Sequence, residues 1–135
     1  MPRHSEIPGS PQEWLVRAKG DLAMARIALP EGAHYEDLCF HAQQAAEKAV
    51  KAVYRARKLK FAYIHDIAEL LAGLEREGIQ VPQSVLESAV LSDFAWQARY
   101  PGTAEPVDEA EYRDALMVAE ATVKWAEDLV NRGTS

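Results

Sequence analysis

The sequence contains a single cysteine, Cys39, among its 135 residues. An intramolecular disulfide is therefore excluded, and so is a structural zinc site built from several thiolates. We interpret Cys39 as a small buried hydrophobic residue. No apolar run approaches the length of about eighteen residues that a membrane-spanning helix needs. The opening MPRHSEIPGS also lacks the apolar segment of a signal peptide, so we expect a cytoplasmic location.

Glycine and proline are scarce as well, with seven of each, which excludes collagen-like and low-complexity chains. The length fits one ordinary domain. The formal net charge of -6 argues against a protein that coats DNA, because such binding needs clustered cations. Basic residues nevertheless concentrate in the middle of the chain, at Lys48, Lys51, Arg55, Arg57, Lys58 and Lys60. A local basic patch is thus compatible with an acidic whole.

Apolar residues recur at helical spacing through most of the chain, and no segment alternates with the period of a strand. Ser10, Pro11 and Glu13 match a capping box, which marks the start of the first helix. The predicted helices are Pro11 to Leu29, Tyr35 or Asp37 to Lys58, Asp66 to Glu77, Pro82 to Arg99 or Tyr100, and a last helix that begins near Asp108 and Glu109.

These segments predict an all-α fold, an antiparallel up-and-down four-helix bundle with one additional short helix. We assign residues 1–10 to a disordered N-terminal tail, residues 11–131 to a single helical domain and residues 132–135 to a C-terminal tail. The second helix carries an alanine-rich inward stripe, and small side chains let a neighbouring helix approach closely.

Beside that stripe, a row of polar residues follows the second helix within about 80° of one another on an ideal helix. The row is His41, Gln44, Lys48, Lys51 and Arg55. One interpretation is a solvated flank with Glu47 and Lys51 as an i, i+4 pair, worth about 0.2–0.5 kcal/mol. The other is a ligand-binding face, in which Gln43 or Gln44 meets a base and Lys48 balances a phosphate.

Common catalytic motifs are absent from the sequence, which has no GxxxxGK[ST], GxGxxG, HExxH or GxSxG. The four histidines show no metal-binding spacing, and we predict no metal site. The predicted fourth helix ends in LSDFAWQARYPG, which places Arg99 and Tyr100 near Asp93 and Trp96 on one face. Either Arg99 pairs with acids of the last helix, or it grips a phosphate while a ring stacks on a base.

Three motifs in this order carry a family resemblance: FHAQQAAEKAVKAVY in the second helix, HDIAELL at the start of the third, and ARYPG at the end of the fourth. Over about Gln12 to Val130 the chain resembles the HEPN domain family, small all-α bundles linked to nucleotide and RNA biology. The resemblance implies a HEPN-like domain that forms a homodimer. It also implies a small nucleotidyltransferase, encoded nearby, as partner in a two-component, toxin–antitoxin-like system.

Many HEPN proteins are metal-independent ribonucleases in which an Arg precedes a His by about four to six residues, the His acting as acid or base and the Arg stabilising the phosphate. No histidine follows His65 here, so this signature is missing after Arg99. The sequence is more similar to the nucleotide-binding companions of minimal nucleotidyltransferases. That similarity implies ligand-binding roles for Gln44, Lys48, His65, Arg99 and Tyr100.

We therefore expect a non-catalytic protein that needs no cofactor and takes a nucleotide such as ATP as its ligand. Two alternatives stay open. The first is a metal-independent ribonuclease toxin that uses Arg99 with an atypical base and RNA as its substrate. The second is an interaction scaffold without a small ligand.

Overall fold

The structure, a computed structural model, describes residues 9–61, 66–93 and 106–133. Its elements are α1 (Pro11–Ala25), α2 (Tyr35–Ala56), α3 (Ile67–Arg76), α4 (Gln83–Leu86), a 3-10 segment (Glu87–Leu91) and α5 (Glu109–Gly133). All regular elements in these ranges are helical, which confirms the predicted all-α bundle. The central element is α2, which packs most extensively against α1 and α5.

The first helix begins as the capping box predicts. The Ser10 hydroxyl accepts from the Glu13 amide at 3.1 Å, and the Ser10 amide donates to the Glu13 carboxylate at 2.8 Å. The predicted end at Leu29 is wrong, because α1 stops at Ala25. Leu29 precedes Pro30, which disfavours the helical conformation, and its side chain is exposed and offers no burial that would favour another turn.

The second helix begins at Tyr35 as predicted but ends at Ala56, before the predicted Lys58. Lys58 adopts a left-handed conformation with φ 59°. The Leu59 amide then donates to the Tyr54 carbonyl at 2.9 Å, so the last carbonyls of the helix are satisfied by the turn itself. The left-handed residue therefore ends the helix.

The core consists of the inward stripes of the helices. The sequence predicts that the inward stripe of α2 is Leu38, Ala42, Ala45, Ala49, Val53 and Ala56; the first five are buried, and Ala56 at the helix end is half-buried. In α3 the predicted Ile67, Leu70, Leu71 and Leu74 are buried. Cys39 is fully buried, as predicted. Desolvation, with smaller contributions from Glu36 and Glu111, raises the pKa of the Cys39 thiol to about 12.

The predicted fourth helix is not continuous in its described part. Gln83–Leu86 is α-helical, Glu87–Leu91 is a 3-10 segment, and Ser92 and Asp93 are again α-helical. The Ser88 hydroxyl donates to the Val85 carbonyl at 2.6 Å, a local bond of the kind that competes with regular helix hydrogen bonds. The end of this predicted helix, with Arg99 and Tyr100, lies outside the described residues. No helix in the described ranges is long and apolar enough to span a membrane.

Candidate functional site

Three polar side chains of α2 are buried one turn apart: Gln43, Glu47 and Lys51, with exposures of 1%, 4% and 5%. We call them the buried polar stripe. Gln43 Nε2 donates to Glu47 Oε1 at 2.9 Å, and Lys51 Nζ pairs with Glu47 Oε2 at 2.9 Å. The interpretation of Glu47 and Lys51 as a solvated pair is wrong. Helical spacing places the two side chains on one face, but only the packing of other segments decides whether water reaches that face.

Aromatic rings cover the charged end of this stripe. Lys51 Nζ lies 5.8 Å from the centre of the Trp14 ring and 5.3 Å from that of Phe61. The two rings meet edge to face at 6.0 Å. Ring faces attract a cation, so they offset part of the free energy that desolvation of Lys51 costs.

Two buried polar atoms of this region have no hydrogen-bond partner within the described part of the chain: Gln43 Oε1 and Trp14 Nε1. An unpaired buried polar group costs about 1–3 kcal/mol, so native proteins rarely keep one without a reason. The unpaired atoms therefore mark the contact between α1 and α2 as a candidate for a functional role.

Next to the stripe, Asp21 of α1 joins two members of the predicted polar row. Lys48 Nζ donates to Asp21 Oδ2 at 2.6 Å, and His41 Nδ1 lies 3.1 Å from Asp21 Oδ1. The Lys48 and His41 side chains are 31% and 33% exposed. Another member, Arg55, donates from Nε to the Gly9 carbonyl at 3.2 Å. The members of the row therefore have three different surroundings. Lys51 lies in the core, His41 and Lys48 contact Asp21 of α1, and Arg55 contacts the segment before α1.

A cleft of about 360 Å³ opens where α1 begins beside α2, lined by Gly9, Glu13, Trp14, Arg17 and Lys48. We call it the Trp14 cleft. Its indole also covers Lys51, so Trp14 connects the cleft to the buried polar stripe. Gly9 has φ 102°, a left-handed backbone conformation that favours glycine. A Cβ there would also lie 3.1 Å from Trp14 Nε1, so there is little room for a side chain.

Charge at the cleft is mixed. Hydrogen bonds from the backbone and side chain of Ser10 lower the pKa of Glu13, with a further contribution from Arg17, so Glu13 is ionised. Arg17 and Lys48 supply two cations, and Asp21 balances Lys48. The amide end of α1 adds partial positive charge near the cleft, although the capping box already uses part of it.

A larger cleft of about 690 Å³ lies at the other end of α2, lined by Arg57, Gly78, Ile79, Gln80, Val81, Pro82, Gln83, Trp125, Asp128, Leu129 and Arg132. Arg57 caps the C-terminal end of α2, and Arg132 lies in the last turn of α5. Cations at those positions balance the negative ends of the helix dipoles of α2 and α5. The free carbonyls at these helix ends and the carboxylate of Asp128 would repel an anionic ligand. An anionic ligand is therefore better matched by the Trp14 cleft.

The predicted ligand-binding residues fare differently. Lys48 lines the Trp14 cleft, and Gln44 is half-buried one turn before it on α2. His65, Arg99 and Tyr100 lie outside the described residues, so their convergence with Lys48 stays a prediction. In the described ranges, no three His, Cys, Asp or Glu side chains gather as a metal-binding group.

Sequence patterns alone did not predict that Trp14 and Arg17 line the cleft, nor how deeply the polar stripe is buried. One signal was present. Gln43, Glu47 and Lys51 recur every four residues, each next to an alanine, and a helix with small apolar residues on several faces is one that neighbours approach from several directions. Polar residues on such a helix are candidates for burial.

The HEPN domain family model matches residues 11–129, nearly the whole described span. The chain belongs to the HEPN domain family. Among solved structures, this HEPN protein is similar to TT1696 from Thermus thermophilus, with 32% identity and a TM-score of 0.73 over 88% of this chain and 97% of that one. It is also similar to ST0689, an archaeal HEPN homologue, with 26% identity and a TM-score of 0.73 over 91% and 99% of the two chains. A search of curated proteins found no significant match.

Proposed function

We propose that this HEPN protein binds a nucleotide and works as the dimeric partner of a separate small nucleotidyltransferase, in a cytoplasmic two-component system of the toxin–antitoxin kind. One observation supports nucleotide binding above others: Lys48 and Arg17 line the same cleft as the ring of Trp14. The partnership and the dimer rest on the family resemblance.

A nucleotide presents a flat base and a chain of phosphates, and the cleft offers a group for each. Stacking of a base on an aromatic ring is worth about 1–3 kcal/mol, which is the role we assign to Trp14. Arg17 can bind a phosphate through two parallel hydrogen bonds, whereas Lys48 acts as a point charge. The cleft volume of about 360 Å³ suits a ligand of this size class.

The acids around the cleft determine the orientation. Glu13 repels phosphates, so they must lie on the side of Arg17 and Lys48. Asp21 holds Lys48 Nζ at 2.6 Å and thereby fixes its position, but it also competes with a phosphate for the same ammonium group. Replacement of Asp21 by a neutral residue should therefore strengthen the binding of phosphates.

Calorimetric titration with ATP and GTP tests the proposal. We expect Arg17→Ala and Lys48→Ala to weaken binding about tenfold each, which corresponds to about 1.4 kcal/mol. Lys19→Ala is the matched control, because Lys19 is also a lysine in an ion pair but reaches Glu127 on α5. Asp21→Asn should bind more tightly than the unmodified protein. If millimolar nucleotide gave no heat with this protein, either alone or together with the nucleotidyltransferase, the proposed nucleotide binding would be contradicted.

The partnership is tested separately, by co-expression with the nucleotidyltransferase that we expect to be encoded nearby. We expect the two proteins to purify together. If Lys48→Ala and Arg99→Ala both retain the partner and no nucleotide gives heat with the unmodified protein, the chain is an interaction scaffold instead.

The ribonuclease alternative depends on Arg99. Its test is incubation of the purified protein with tRNA or mRNA in a chelator, beside Arg99→Ala. Cleavage that is lost in the variant would establish this alternative. Equal cleavage by both proteins would point to contamination.

A further inference from the structure

Asp21 of α1 is shared by two basic side chains of α2 at the edge of the Trp14 cleft. Its Oδ2 atom accepts from Lys48 Nζ at 2.6 Å, and its Oδ1 atom lies 3.1 Å from His41 Nδ1. Only 14% of the Asp21 side chain is exposed, so water has limited access to either oxygen. A stronger bond from one base therefore weakens the bond from the other, because both are attracted by the same single negative charge.

The imidazole of His41 is the group that can change this balance. Histidine is the side chain type that gains or loses its charge between pH 5 and pH 8, whereas a lysine keeps its charge over that range. A neutral imidazole gives Asp21 one hydrogen bond, whereas a protonated one adds a full positive charge beside the carboxylate. The ring of Phe40 meets the imidazole edge to face at 5.7 Å and helps to hold it there. A protonated His41 therefore competes with Lys48 for Asp21.

The other charged groups near this bridge have contacts of their own or line the cleft. On α2, the carboxylate of Asp37, one turn before His41, accepts from the His34 amide at 3.0 Å. The remaining groups are Glu47 and Lys51, which pair with each other; Glu13 and Arg17, which line the cleft; and Glu120 and Glu127 of α5, which pair with Arg26 and Lys19 of α1. In the described ranges, Asp21 is thus the acid that contacts both His41 and Lys48.

We propose that His41 is a positioning residue for the Trp14 cleft: a proton on His41 releases Lys48 from Asp21, so that Lys48 can bind a phosphate. The inference rests on the proposed nucleotide binding and adds the regulation of that site by pH. While His41 is neutral, Asp21 retains Lys48 and opposes the ligand. Once His41 is protonated, it neutralises Asp21, and Lys48 joins Arg17 as a cation for the phosphates. His41 does not line the cleft, so it acts through Asp21.

Calorimetric titration with ATP at pH 8 and pH 5.5 tests this role with two matched variants. His41→Gln keeps a polar side chain that is neutral at both pH values, and His41→Lys provides one that is charged at both. We expect His41→Lys to bind ATP about threefold more tightly than His41→Gln at either pH. The unmodified protein should match His41→Gln at pH 8 and His41→Lys at pH 5.5. The protonation of ATP itself is the same for all three proteins and cancels in these ratios.

Asp21→Asn shows whether His41 acts through Asp21. Without the carboxylate, Lys48 is not retained at any pH. Asp21→Asn should therefore bind ATP with the same affinity relative to the double variant Asp21→Asn, His41→Gln at pH 8 and at pH 5.5. If this ratio still changed with pH, His41 would attract the phosphates directly, and its positioning role would be overturned.

The NMR signals of the Lys48 side chain report the same competition without a nucleotide, and Lys48→Ala identifies them by their loss. In the unmodified protein they should shift between pH 8 and pH 5.5, because Lys48 leaves Asp21 as His41 gains a proton. They should stay constant in His41→Gln and in Asp21→Asn. Circular dichroism should show that the variants keep their helices.

Two results would overturn the inference: Lys48 signals that shift equally in the unmodified protein and His41→Gln, or an ATP affinity with the same pH dependence in both. The NMR readout keeps this inference distinct from the proposed function. If the Lys48 signals respond as expected but ATP gives no heat with any of these proteins, the control of Lys48 by His41 is supported and the proposed nucleotide binding is contradicted.

Discussion

Lys48 and Lys51 lie one turn apart on α2 and have opposite surroundings. The Lys48 side chain is 31% exposed and pairs with Asp21 on a different helix, at the edge of a cleft. The Lys51 side chain is 7% exposed and pairs with Glu47 on its own helix, beneath Trp14 and Phe61. The first is placed to exchange its partner for a ligand, whereas the second is part of the core. Identical residue types therefore serve different ends according to what covers them.

The energetic consequence of that difference is large. An exposed ion pair contributes about 0–1 kcal/mol, because water already solvates both charges. Removal of one partner from a buried pair costs about 3–5 kcal/mol, because the other charge stays in the core uncompensated. The two lysines can be compared directly, since they share a helix and differ mainly in burial.

The largest effect is expected from Glu47→Ala. This change leaves Lys51 buried without its carboxylate and removes the acceptor of Gln43, so the free energy of unfolding should fall by about 3–5 kcal/mol. Urea denaturation measures it. Glu75→Ala, at an exposed position of α3, is the control and should change stability by less than about 0.5 kcal/mol. A loss below about 1 kcal/mol for Glu47→Ala would show that the buried pair is less isolated from water than the structure indicates.

Direct substitution of the two lysines should give unequal losses. We expect Lys51→Ala to lower the free energy of unfolding by about 3 kcal/mol, through the unpaired Glu47 and the lost contacts with two rings. Lys48→Ala should cost less, about 1 kcal/mol, because Lys48 is 31% exposed and Asp21, which is 14% exposed, keeps its contact with His41. Equal losses in urea denaturation would contradict the distinction between a core lysine and a cleft lysine.

High salt should also distinguish the two lysines, although its effect on stability is smaller than that of the substitutions. At 1 M ionic strength the screening length falls to about 3 Å, which weakens exposed pairs much more than buried ones. The stability difference between the unmodified protein and Lys48→Ala should therefore shrink by a few tenths of a kcal/mol, whereas the difference for Lys51→Ala should persist. If sodium chloride reduced both differences to the same extent, the distinction between an exposed pair at Lys48 and a buried pair at Lys51 would be contradicted.

Cys39 extends the comparison to a buried group of α2 that is uncharged at neutral pH. Its pKa rises from the ordinary 9.0 to about 12 in the folded chain. Below pH 9 the thiol is protonated in both states and has no pH-dependent effect. As the pH increases from about 9 towards about 12, only the unfolded chain ionises, so the protein should lose stability relative to Cys39→Ala.

Urea denaturation of both proteins at pH 8 and pH 10 measures this change, which should be visible only at the higher pH. A thiol reagent at pH 8 gives a second readout. The native thiol should react far more slowly than the unfolded one, and comparable rates would contradict the burial of Cys39.

Helix starts were the most predictable features of this protein. Two examples are the capping box at Ser10 and the start of α2 at Tyr35. The buried apolar face of α3 was predictable for the same reason. All three features depend on neighbours within one or two turns, so the local sequence contains the necessary information. Helix ends were less predictable. The left-handed turn at Lys58 and the 3-10 segment after Leu86 depend on the path that the chain must take to reach its next contact.

The candidate site shows the same division. Lys48 was recognisable as a ligand-binding candidate from α2 alone, but its position beside Trp14 and Arg17 required the packing of α1 against α2. The buried polar stripe is the clearest example, since the spacing of Gln43, Glu47 and Lys51 is equally compatible with water and with the core. The neighbouring alanines mark these residues as candidates for burial, but residues far away in the sequence decide which of them is covered.

By itself, then, the sequence determined the all-α class, the helix starts and the HEPN family, because each depends on local spacing or on motifs in a fixed order. The tertiary structure alone decided which polar side chain of α2 reaches water, which is covered by rings and which is held by Asp21. The physical reason is that the free energy of a charge depends on the dielectric and the partners around it, and both come from chain segments that meet only in the folded protein.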